Sequence, residues 1–180
     1  MSILIPTAVL AWIIIYIIRR RKKPGLQKAD NPYAGLRDMA LQTTPGQLGI
    51  DPGADPSGVY GVVLDWPLNE GIICLVCFSS GDASMYTSTG GGMIGGGSHD
   101  AIKSAAKEFV QKAQGYLKLA VKTDTVELPD ADELQFCFLT ASGIFTARES
   151  FSLIKYNSSA WLPLFAEANK VIAALRTTES

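Results

Sequence analysis

Six of the eight residues from Gly90 to Gly97 are glycine, and Ser98-His99 follow directly. A glycine-rich loop that runs into a helix can turn several backbone N–H groups toward one point, and the helix N-terminus adds partial positive charge there. Such a cradle holds an anion or a phosphate group. The residues that would form it are Gly90, Gly91, Gly92, Gly95, Gly96, Gly97, Ser98 and His99.

Two nucleotide-binding patterns can be tested against this segment. Gly90-x-Gly92-x-x-Gly95 formally fits the dinucleotide fingerprint, but that unit also needs a parallel strand after the helix, ending in an acid for the ribose. Here the helix is followed by the polar stretch Lys122-Thr123-Asp124-Thr125 and then a hairpin. A phosphate-binding loop of the Walker type needs lysine and then serine or threonine after its last glycine, which Ser98-His99 does not supply. The competing explanation is conformational: glycine opens backbone angles closed to other residues and allows close approach to another element. Met93-Ile94 would then be an apolar plug, set against the domain or against a partner.

Elsewhere the chemistry-bearing residues are scattered. His99 is the only histidine and has no acid or nucleophile assigned to it, so it reads as a first-turn helix residue. Cys74-x-x-Cys77 looks like half a metal site, but residues three apart on a strand face opposite ways and cannot share an ion. Asp65 beside Trp66 reads as a solvent-facing turn residue, with a surface acid in a pocket as the alternative. Asp130, Asp132 and Glu133 lack the glycine and the later glutamate of a calcium loop and read as solvated loop. No serine sits in a nucleophile-elbow pattern. The sequence therefore singles out no catalytic residue, no metal site and no cofactor.

The elements that would position these residues follow from periodicity. Asn31-Pro32 opens a helix with Leu36, Met39 and Ala40 on its apolar face, closed by Thr44-Pro45. Residues 51–58 are loop. Val59–Trp66, Gly71–Phe78 and Ala83–Ser88 read as three strands joined by tight turns. Ile72 to Phe78 is apolar at every position, as expected of a strand covered on both faces. Ser98 caps a helix whose face is Ile102, Ala105, Ala106, Phe109, Val110, Ala113 and Leu117. Leu134–Thr140 and Ile144–Glu149 form a hairpin. Ser158 or Ser159 caps a last helix with Trp161, Leu164, Phe165, Ala168, Val171, Ile172 and Leu175 on its buried side. Links this short force antiparallel pairing. The expected fold is α+β: a five-stranded antiparallel sheet packed by helices, in the order α-β-β-β-α-β-β-α, over residues 33–180. That order resembles small roadblock, longin and profilin-like domains.

Ahead of this domain, residues 1–18 contain no charge and are almost wholly apolar. As a helix they would reach about 27 Å, close to the hydrocarbon thickness of a bilayer. Trp12 and Tyr16 are interface-favouring aromatics, and Arg19, Arg20, Arg21, Lys22 and Lys23 follow at once. The expectation is a single-pass transmembrane anchor over 1–18 and a basic juxtamembrane linker over 19–32. The basic run would contact anionic lipid headgroups and keep the C-terminal domain in the cytoplasm.

Charge divides the chain in the same place. Residues 1–28 hold six of the 16 lysines and arginines and no acid; the remainder holds ten basic residues and all 17 acids, a net of −7. A body so acidic repels phosphate backbones, so nucleic acid is not an expected partner. Three cysteines in apolar runs make no disulfide framework and suit a reducing compartment.

Leu36-Arg37-x-x-Ala40-Leu41, Tyr60-Gly61-Val62-Val63-Leu64-Asp65 and Ser88 to Gly97 together resemble a group of uncharacterised bacterial hypothetical proteins. The resemblance implies a bacterial origin and this architecture, and it carries no activity. Two functions fit the whole reading. One is an interaction module tethered to the cytoplasmic face of a bacterial inner membrane, with a protein partner. The other is a phosphate- or nucleotide-group binder built on the glycine loop.

Overall fold

The computed structural model describes residues 32–51, 56–95 and 98–177, all within the unit Pro32–Ser180. The chain order is helix α1 (Tyr33–Gln42), strands β1 (Val59–Leu68), β2 (Gly71–Phe78), β3 (Ala83–Thr87) and β4 (Gly92–Met93), and helix α2 (Asp100–Ala113). Strands β5 (Val121–Thr123), β6 (Glu133–Thr140) and β7 (Gly143–Ser150) follow, then the short helix α3 (Phe151–Lys155) and the long helix α4 (Leu162–Thr177). One sheet holds all seven strands in the order β4-β3-β2-β1-β6-β7-β5, and every neighbouring pair is antiparallel.

The α+β class and the antiparallel sheet are as expected, but the sheet has seven strands rather than five. The two additions are the edges. β4 is two residues of a glycine run and β5 three residues of a polar run, and neither shows the alternation by which a half-buried strand is read. Strand pairing, not side-chain burial, makes them strands. The membrane anchor is corrected as well: among the described residues no helix is long and apolar enough to cross a membrane. The expected span 1–18, with Trp12, Tyr16 and the run Arg19 to Lys23, lies outside the described residues.

β1 sits at the centre of the sheet, flanked by β2 and β6. Its Pro67 faces only β2, because the β6 ladder ends at Asp65, so the missing N–H breaks no bond on the other side. Alternation sends Val63, Asp65, Cys74, Val76, Cys137 and Leu139 to one face, where Tyr33 and Ala40 of α1 pack on them. The opposite face carries Val62, Leu64, Trp66, Leu75 and Cys77 and is covered by α2 and α4, which pack on each other. Trp66 meets Phe165 of α4 edge-on at 5.1 Å, and Phe136 stacks on Trp161 at 5.4 Å. Between the helices, Glu167 of α4 accepts Lys112 of α2 at 3.1 Å and Lys170 at 2.8 Å.

Candidate functional site

The glycine run is divided by β4. At its start, Gly90 donates its N–H to the Thr87 carbonyl at 3.0 Å, and the Thr87 N–H donates to Gly91 at 3.1 Å. Gly90 and Gly91 both have positive φ, 95° and 93°, which two consecutive residues with side chains would resist. Gly92 then lies so close to β3 that a Cβ on it would come 2.4 Å from the Met85 carbonyl oxygen. Beyond β4, the Gly95 N–H reaches the Ser84 hydroxyl at 3.3 Å. The segment is thus a β3–β4 hairpin, with Gly90 and Gly95 at opposite ends of β4 and their N–H groups committed to Thr87 and Ser84.

Of the other residues proposed for the anion cradle, Gly96 and Gly97 lie outside the described residues. Ser98 is exposed and precedes α2. His99, not Ser98, is the N-cap residue; its backbone is extended, its carbonyl accepts the Lys103 N–H at 2.9 Å, and its side chain makes no cap bond. The structure therefore divides the six described candidates between a sheet edge, Gly90 to Gly95, and a helix start, Ser98 and His99.

The edge itself is unusually bare. In the ladder Met93 pairs with Met85, so alternation turns the N–H and C=O of Gly92 away from β3. Ile94 follows with 70% of its surface exposed, and no charged residue occurs between Asp82 and His99. The opposite edge differs. Val121 of β5 is also exposed, but Lys122 lies on that strand, its stem close against Gly143, and Lys118 just precedes it.

A second polar assembly lies inside the fold and was not foreseen. Asp65 is fully buried on β1, not a solvent-facing turn residue. Arg37 of α1 grips it, Nε at 3.0 and 3.1 Å from the two carboxylate oxygens and Nη2 at 2.8 Å. Burial works against the Arg37 charge, but the Asp65 carboxylate outweighs it and raises the guanidinium further. Burial first, and then the Asp65 carboxylate, push the Cys74 thiol well above the ordinary thiol range. Burial likewise pushes up the thiols of Cys77 and Cys137. Cys74 and Cys77 do face opposite sides of the sheet.

Three successive carbonyls in the connector between β5 and β6 complete this assembly. Val126 accepts from Arg37 Nη1 at 3.2 Å, Glu127 from Gln135 Nε2 at 2.7 Å, and Leu128 from Arg148 Nη2 at 3.3 Å. Arg148 Nε also donates to Gln135 Oε1 at 2.8 Å. Beside this strap opens a polar groove of about 360 Å³, lined by Thr123, Thr125, Glu127, Thr146 and Arg148 among others. A lone acid inside the apolar run Val62 to Trp66 was the available signal for Asp65; nothing local in the sequence marks its pairing with Arg37, 28 residues away.

No family model, curated protein or solved structure matches this chain.

Proposed function

We propose that the domain is an interaction module that receives an extended, uncharged segment of a protein partner along β4. The observation that carries this reading is the bare edge: outward main-chain groups at Gly92, an exposed Ile94 and no charge from residue 83 to 98. Sheet edges left free in solution carry charge, proline or a bulge that blocks pairing. Lys118 and Lys122 serve that purpose at the β5 edge, whereas the described residues of the β4 edge carry neither charge nor proline. An added strand would bond the backbone of Gly92 and set an apolar side chain on Ile94.

The placement of the reactive groups supports the same reading. Asp65 is held by Arg37, and Cys74, Cys77 and Cys137 are sealed in the interior with their thiols pushed up by burial. Each has a part in the fold.

Photo-crosslinking in cells tests the proposal. A crosslinking residue at exposed position 89, beside the hairpin, is expected to form adducts that Ile94→Lys abolishes, while one at position 107 on α2 forms none. Equal adducts from both positions, or adducts indifferent to Ile94→Lys, would sink it.

A further inference from the structure

The sheet's two faces are closed by different means. On one, α2 and α4 pack on the strands and on each other. On the other, α1 fully buries Tyr33, Arg37 and Ala40, with Leu36 and Leu41 half-buried against the same cluster, and the strap 124–128 lies beside it. Arg37 ties these two pieces together, since one guanidinium bonds Asp65 on β1 and the Val126 carbonyl on the strap. The Val126 side chain also packs into the cluster formed by Tyr33, Ala40, Cys74 and Cys137.

We propose that α1 and the strap form one latch, closed by Arg37, over the face that carries Cys74 and Cys137, and that its opening bares those two thiols while Cys77 stays covered. An apolar seal of equal area would resist partial opening, because every lifted side chain meets water. An ion pair behaves differently: when α1 lifts, both Arg37 and Asp65 become hydrated, which offsets much of what is lost. The strap must follow, because Arg37 leaves Val126 in the same movement. Cys77 lies beneath α2 and α4 and reports only on unfolding of the whole domain. The inference is independent of any partner at β4.

The test is alkylation of the full-length chain by N-ethylmaleimide without denaturant, read at each cysteine by mass spectrometry, beside amide hydrogen exchange. In the wild-type protein Cys74 and Cys137 are expected to label at matching rates, both faster than Cys77. Arg37→Lys keeps a cation near Asp65 but lacks the fork that also reaches Val126. It should speed Cys74 and Cys137 about tenfold, the effect of losing one charge-assisted hydrogen bond, while Cys77 stays the slowest of the three because its exposure still requires unfolding of the whole domain. Amides of α1 should lose protection in step with the labelling of Cys74 and Cys137. A common rate for all three thiols in the wild-type protein would overturn the proposal, and so would Cys74 labelling while Cys137 stays as slow as Cys77. The wild-type comparison decides the matter even if the variant folds poorly.

Discussion

Arg37 on α1 and Asp65 on β1 form a two-nitrogen clasp with side chains only 7% and 0% exposed, joining the first helix to the central strand. Each ion is removed from water, so each depends on the other for compensation. Asp65→Asn should therefore destabilise the domain by about 3–5 kcal/mol, the usual effect of breaking a buried pair from one side. Replacing both residues, as Arg37→Met with Asp65→Leu, should recover most of that loss. Urea denaturation of the three proteins measures both effects; a double variant no better than the single would mean the pair adds stability beyond mutual compensation.

Glu167 links acid stability to the packing of α2 on α4. Burial raises its carboxyl pKa, but hydrogen bonds from Lys170 and Lys112 outweigh that and hold it below the ordinary 4.5. A carboxyl depressed in the folded state contributes stability at higher pH that disappears as pH falls through its folded value. The wild-type protein should thus lose stability below about pH 4.5 more steeply than Glu167→Gln. Denaturation midpoints collected from pH 6 to 3 would show two parallel curves if Glu167 had no such role.

Two glycines should respond in opposite directions. In Gly92→Ala the new methyl meets the Met85 carbonyl and the Tyr86 Cα, so the β3–β4 hairpin must shift, at a cost of about 1–3 kcal/mol. Gly35 lies inside α1 with open space around it, and Gly35→Ala should stabilise by about 0.5–1 kcal/mol through helix propensity. Thermal melts check both. Gly35→Ala should also slow labelling of Cys74 and Cys137, because it favours the docked helix.

Side-chain truncations should separate core from edge. Phe165 is fully buried against Trp66 and Phe151, and Phe165→Ala should cost about 3–5 kcal/mol. Ile94→Lys, at an exposed position, should change stability by no more than about 0.5 kcal/mol. A large loss from Ile94→Lys in chemical denaturation would mean that the residue supports the hairpin and is not held out for a partner.

The apolar elements were legible from periodicity. The face Ile102, Ala106, Phe109, Val110 and Ala113 of α2 is buried as the three-and-four spacing requires, and β2, apolar throughout, has helices on both sides. What stayed hidden has a common physical cause. β4 and β5 are defined by hydrogen bonds to β3 and β7, not by their own side chains, and a short strand with little to bury leaves no pattern. α3 is five residues long, less than two turns. In the candidate site, the glycine spacing implied special backbone angles, and Gly90, Gly91 and Gly95 have them; whether the N–H groups turn outward or into the fold depends on where β3 lies, which spacing does not encode. Asp65 was misplaced for a related reason, since its partner is brought from another element by the fold.

The central position of β1 also shapes how the chain can mature during synthesis. The hairpin with β2 is local and can close as soon as residues 59–78 leave the ribosome, but the other side of β1 waits for β6, residues 133–140. Through that interval a growing polypeptide carries an unsatisfied, strongly apolar strand margin in the middle of what will become its interior. Nascent chains halted between these two points should be the species that chaperones hold and that aggregates recruit.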